Sequence, residues 1–270
     1  NIGYCLATDN QGNVYTSGNF RGIIDFDPGP LNVTLNATAS DIFITKSDKN
    51  GNLIWAKQMS GNAYASGLSM TLDQSNHIYL TGQFQGLVDF DPGIGNQSIH
   101  SVDSGDVFIV KLDAQGNLIW VKTFGSTSSD CGRSITKDSS NNLYVTGNFG
   151  GSVDFDPGTG INLLNSSGAN DIFVSKFDQN GNFLWARNIG GSMDDLGLSI
   201  KTDPVQHVYI GGSFSGTVDF DPGASNYNLT SNGGTDIFML KLDSAGQFKN
   251  AIQTGGMLDD ILQALCIDAN

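Results

Sequence analysis

Apolar residues in this chain come in short runs bounded by Asp, Gly and Asn, and no stretch holds a convincing helical period. The runs at 42–45, 107–110, 172–175 and 237–240 (IFIT, VFIV, IFVS, IFML) are apolar at nearly every position, which predicts strands buried on both faces. The runs at 52–57, 117–122 and 182–187 (NLIWAK, NLIWVK, NFLWAR) alternate well enough to predict half-exposed strands.

The runs recur. DFDPG begins at Asp25, Asp89, Asp154 and Asp219, and D-(I/V)-F-x-x-K begins at Asp41, Asp106, Asp171 and Asp236; Trp55, Trp120 and Trp185 keep the same period of about 65 residues. Each copy reads as four strands, A to D. Strand A precedes an Asp-led turn, strand B carries Tyr15, Tyr79, Tyr144 or Tyr209, strand C is the continuous apolar run, and strand D carries the Trp. The A–B turns (Asp9 to Asn13, Asp138 to Asn142) and C–D turns (Asp48 to Asn52, Asp113 to Asn117, Asp178 to Asn182) open with an Asp that can accept backbone N–H bonds, while Gly or Asn takes the positive φ of a tight hairpin.

The expected fold is therefore all-β: a β-propeller of four-stranded antiparallel blades at about 1–60, 61–125, 126–190 and 191–255, with 256–270 starting a further blade as its inner strand. A solenoid has shorter coils, and a string of sandwiches would not share so short and regular a period. The start within strand A and the end within a fifth A–B turn are expected of an excerpt of a longer propeller or of a processed chain. In the fourth copy Lys249 and Asn250 stand where the others have an aliphatic residue and Trp, so that strand is expected to meet a different neighbour.

The motifs G-x-S-(I/M)-x-x-D, Y-(V/I/L)-x-G, DIFVxKxD and GNxxWAK together resemble the SBBP-type β-propeller repeat of bacterial surface and secreted proteins, over essentially the whole chain. The resemblance implies a non-enzymatic repeat protein, extracellular or at the bacterial cell surface.

Composition sharpens this picture. All 27 acidic residues are Asp, and most occupy repeated turn positions; Asp favours caps and turns where Glu favours helices. A formal charge of −14 with only 13 Lys and Arg argues against nucleic acid, and no apolar run approaches the roughly 18 residues of a membrane span.

The chemistry to weigh is in the B–C connection, about twenty residues long. Asp25 with Asp27, Asp89 with Asp91, Asp154 with Asp156, and Asp219 with Asp221 are two apart, so in extended chain each pair projects to one side. Such pairs beside a Pro-Gly turn are candidate calcium ligands; the competing reading is an Asp-capped turn. Asp130, Asp194, Asp195, Asp259 and Asp260, in the D–A connections, are expected to join the same acidic loop face. Lys46, Lys111, Lys176 and Lys241 read as pairing between blades, and the tryptophans as packing. Cys5, Cys131 and Cys266 hold unrelated repeat positions and form no disulfide framework, and His77 and His207 replace turn asparagines. The N-x-(S/T) strings at Asn32, Asn36, Asn96, Asn165 and Asn228 are expected by chance in such loops.

Catalysis would require one copy to carry residues that the others lack, and no lone His, Ser or acid does. The expected function is thus a non-catalytic module for binding, adhesion or display, engaging a protein or glycan through repeated loops. A calcium-dependent lectin-like propeller and a polysaccharide-active propeller enzyme are the alternatives.

Overall fold

The computed structural model describes residues 1–268, and among them there are strands and turns but no helix. The chain divides into two compact units, residues 1–123 and 124–270.

The first unit holds two meanders. One runs β1 (Ile2–Thr8), β2 (Val14–Asp25), β3 (Thr34–Ser47), β4 (Leu53–Gly61), and the next β5 (Ala65–Leu72), β6 (Ile78–Phe84), β9 (Asp106–Leu112), β10 (Leu118–Phe124). Between β6 and β9 lies a short ribbon of β7 (Leu87–Asp89) and β8 (Ser98–His100). The second unit repeats this scheme: β11 (Cys131–Lys137), β12 (Leu143–Asp154), β13 (Leu163–Phe177), β14 (Phe183–Ile189), then β15 (Leu196–Thr202), β16 (Val208–Phe214), β19 (Asp236–Leu242), β20 (Phe248–Thr254), with the ribbon β17 (Thr217–Asp219) and β18 (Asn228–Thr230). In every copy the sheet order is A-B-C-D and all pairings are antiparallel, the blade architecture of a β-propeller.

The Asp-led hairpins form as the turn chemistry predicts. In the first, Asp9 N–H donates to the Asn13 carbonyl at 3.1 Å and Asp9 Oδ1 accepts the N–H groups of Gln11 and Asn13. Strand B needs a glycine where strand A bulges: a Cβ on Gly147 would stand 1.8 Å from the Cys131 carbonyl oxygen. Strand C is the buried centre, with all of β9 and the last seven residues of β13 buried, while β10 and β14 are half-exposed.

Within each unit the blades stack through these apolar faces. Ile42 and Ile44 of the first blade share a core with Met70, Ile78 and Leu80 of the second; Ile172 and Val174 share one with Ile200, Val208 and Ile210. Two of the three tryptophans stand at blade-to-blade contacts within a unit. Trp55 lies over Gly116 and Trp185 over Gly246, glycines that the C–D turns hold at φ +78° and +74°.

The B–C connection is not the open loop expected. Strands B and C run on into it as an antiparallel ribbon, continuous in β2–β3 and β12–β13 and interrupted in the other two copies. Its flank also reaches the preceding blade of the same unit, where Ser60 pairs with Asp89 and Gly190 bridges to Asp219. From Ile261 to Asp268 no ladder forms, yet Leu265 N–H donates to Ser199 Oγ at 3.2 Å as Ile200 N–H does to Ser134 Oγ, one period earlier. The segment takes the place of an inner strand beside strand A of the fourth copy. Ala269 and Asn270, at the end of the expected further blade, lie outside the described residues.

Candidate functional site

The DFDPG segments sit at the tips of the ribbons, and their carboxylates are used locally. In each copy the first Asp (25, 89, 154, 219) accepts through Oδ1 the N–H two residues on, at 3.0–3.1 Å, and the N–H eight residues on, at 2.8–2.9 Å. The second (27, 91, 156, 221) accepts the Gly N–H two residues on at 2.8–3.1 Å. The expectation that each pair projects together from extended chain therefore fails: the strand ends at the first Asp, which closes a turn around the second. Among the described residues no group of three or more His, Cys or Asp side chains that could hold a metal ion occurs.

The residue between the two acids anchors the tip. Phe26, Phe90, Phe155 and Phe220 turn back onto the strand B phenylalanines (Phe20, Phe84, Phe149, Phe214) at 5.1–5.3 Å and the strand C ones (Phe43, Phe108, Phe173, Phe238) at 5.0–5.2 Å. The edge-to-face geometry is worth about 0.5–1.5 kcal/mol per pair beyond burial. What each rigid tip then shows to solvent differs between copies: Leu31, Ile94 and Ile161 stand fully or largely exposed on three, and Ala224 occupies the fourth.

Two of the five D–A acids do not join an exposed acidic face as expected. Asp130 and Asp195 are fully buried. Asp195 Oδ2 accepts from Gly191 N–H at 2.7 Å and Oδ1 from Ser215 N–H at 3.1 Å; Asp130 does the same with Ser126 and Gly150. Burial, with the charges of Asp171 and Asp194 nearby, pushes the Asp195 carboxyl up to about 7 against those two N–H donors. Asp194 and Asp259 are exposed, and Asp260 is half-buried.

The lysines also differ from expectation. Each lies opposite the strand B Tyr of its own blade and places its ammonium 4.8–5.0 Å from that ring's centroid. Lys46 Nζ is also 3.8 Å from Asp9 Oδ2. A contact between blades does occur at Lys176, which donates to the Ser244 carbonyl at 3.0 Å. His77 and His207 bond Asp73 and Asp203 at 2.8 and 2.9 Å, the part Asn13 and Asn142 play elsewhere. In the fourth copy Lys249 pairs with Asp243 of its own turn at 2.9 Å.

One further departure from the repeat lies in strand A. The position immediately after the strand A glycine (Gly3, Gly67, Gly132, Gly197) reads Tyr4, Leu68, Arg133, Leu198, so the third copy carries a lone cation there. Arg133 Nε donates to Oδ1 of buried Asn148 at 2.7 Å, and the side chain lines a cleft of about 580 Å³ in the second unit. Aligning the copies column by column exposes this signal; a search for catalytic residue types does not.

No family model matches the chain. It is 26% identical over 251 residues to the Uncharacterized WD repeat-containing protein L264 of Acanthamoeba polyphaga mimivirus, a match covering 80% of this chain and 18% of that protein. It is 26% identical over 157 residues to the Regulatory protein FlaEY of Caulobacter vibrioides, covering 58% of this chain and 16% of that protein. The chain thus spans less than a fifth of the length of these curated relatives. The four A-B-C-D meanders, together with the likeness to a WD-repeat protein, make it a tandem-repeat β-propeller chain.

Proposed function

We propose that this chain is a non-catalytic protein-binding module whose ribbon tips contact the partner. The observation that carries this reading is the contrast between tip framework and tip surface. The same Asp–Phe–Asp clamp recurs four times, while the exposed aliphatic group on the tip changes in kind and place: Leu31, Ile94 and Ile161 stand six, five and seven residues after the clamp's first Asp, and the fourth tip carries Ala224 five residues after it. Rigid scaffolds that hold variable exposed aliphatic groups suit protein recognition, because little ordering entropy is lost on contact. Several weak tips on one chain gain by effective concentration. The WD-repeat likeness supports the same reading. We keep the extracellular setting as part of the proposal on the SBBP-type resemblance alone.

The test compares proteins retained by the immobilised chain with those retained by a triple variant Leu31→Ser, Ile94→Ser, Ile161→Ser of unchanged melting temperature. Loss of a saturable partner in the variant supports the reading. Retention unaffected by the variant, or turnover of a polysaccharide or ester panel, would overturn it.

A further inference from the structure

The cleft beside Arg133 sets a cation against an apolar wall. Its wall combines the guanidinium with Ser215, Asp194 and the apolar side chains of Met193, Leu198 and Ile261. Its volume of about 580 Å³ is in the range that small ligands and single anchoring side chains fill. Arg133 is half-buried, and its Nε is already fixed by Asn148, which is itself 5% exposed. No ion pair to Arg133 occurs among the described residues, although the chain carries 27 aspartates. Of the aspartates around it, Asp195 accepts through both oxygens from Gly191 and Ser215, and Asp194 Oδ1 accepts from the backbone N–H and Nδ2 of Asn170. A guanidinium oriented through Nε keeps its two terminal NH₂ groups as a planar fork, which matches a carboxylate.

We infer that Arg133 and this cleft form a carboxylate-binding subsite: the guanidinium takes the carboxylate, and the wall of Met193, Leu198 and Ile261 takes an adjoining aliphatic group. A monoanion suits the site better than a phosphate dianion, because one cation faces it, Asp194 stands on the rim and the net charge is −14. Two sources share this chemistry, a free aliphatic carboxylate and the C-terminus of a peptide ending in an aliphatic residue. The second rests on the reading of the chain as a protein-binding module; the subsite itself does not.

The methyl NMR signals of Met193, Leu198 and Ile261 report on the site. The chain is titrated with hexanoate, with the peptide acetyl-Ser-Gly-Leu bearing a free carboxylate, and with the same peptide amidated. Saturable shifts with hexanoate, the free-carboxylate peptide or both are expected, weakened by 0.5 M salt and absent with the amide. Arg133→Leu should weaken binding at least about tenfold. Leu68 and Leu198 hold the equivalent position in other copies, so this variant is expected to fold; should it not, the amide arm on the wild-type chain still decides. Tip substitutions at Leu31, Ile94 and Ile161 should leave these shifts unchanged, which separates this subsite from the tip contacts. No saturable shift with either carboxylate, equal binding by the amide, or undiminished binding by Arg133→Leu would overturn the inference.

Discussion

The ammonium of Lys176 stands 4.9 Å from the centroid of the Tyr144 ring, while the phenol of the same ring donates to Asp138 Oδ2 at 3.2 Å. One tyrosine thus ties the A–B turn, strand B and strand C together, and Lys176 carries the link on to the Ser244 carbonyl of the next blade. Tyr144→Phe should cost about 1–2 kcal/mol by leaving a buried turn carboxylate short of a donor. Lys176→Met should cost a similar amount through the lost carbonyl bond and cation–π contact. Urea unfolding midpoints check both, and unchanged midpoints would show that the chain of contacts adds nothing.

The ribbon tips depend more on the phenylalanine than on either acid. Phe155 is fully buried and packs on both Phe149 and Phe173, so Phe155→Ala should cost about 3–5 kcal/mol. Asp154→Asn, which keeps one carbonyl acceptor, should cost about 1 kcal/mol. Hydrogen exchange at Asn162 N–H, bonded to Asp154 Oδ1 at 2.8 Å, should quicken in both variants.

Stability should fall on both sides of mildly acidic pH. Asp195 has its folded value raised from 3.8 to about 7, so the folded chain holds a proton there that the unfolded chain has released. Its contribution is fully present below 3.8 and is lost as pH rises through about 7, by up to roughly 4 kcal/mol. The turn-leading Asp9, Asp73, Asp113, Asp178, Asp203 and Asp243 act in reverse. Burial works to raise them, but the turn N–H and side-chain donors outweigh it and hold them below the ordinary value, so their contribution is present above 3.8 and disappears as pH falls below it. Melting temperatures across pH 3–9 should show this maximum, and Asp195→Asn should flatten only the alkaline limb.

Gln206 carries a φ of +67° in the fourth A–B turn, where Asn76 and Asn141 take φ +61° in the second and third and Gly12 takes +80° in the first. Left-handed backbone costs an ordinary residue about 1–2 kcal/mol, so Gln206→Gly should stabilise the chain by about 1 kcal/mol. Among the described residues its side-chain bonds are long, 3.4 Å to Ser139 and 3.5 Å to Ser140, and should not offset that gain. A melting temperature that fails to rise would count against strain at this turn.

The three thiols should separate by reactivity. Burial pushes the Cys5 thiol up to about 12 and raises that of Cys131 as well, whereas Cys266 is exposed. A native-state thiol titration should therefore count one fast cysteine, and Cys266→Ser should remove it.

Blade, turn and strand order were legible in the residues because hairpin chemistry is local. An Asp that caps its own turn, a Gly or Asn at positive φ and a strand with period-two or continuous apolarity act within a few positions, and 65-residue recurrence multiplies the signal four times. Tertiary structure decided what lies between those elements. The B–C connections became ribbons because Phe90, Phe155 and Phe220 find a buried slot on their own blade, a contact no spacing rule announces. It also decided the roles of the charges: Lys176 faces Tyr144 through cross-strand register, and Asp195 is buried by a ribbon beginning 20 residues further along the chain. Charge and turn type are properties of the chain; burial and partner are properties of the packing, and they alone turn the DFDPG carboxylates into structural caps and set Arg133 in a cleft as a candidate site.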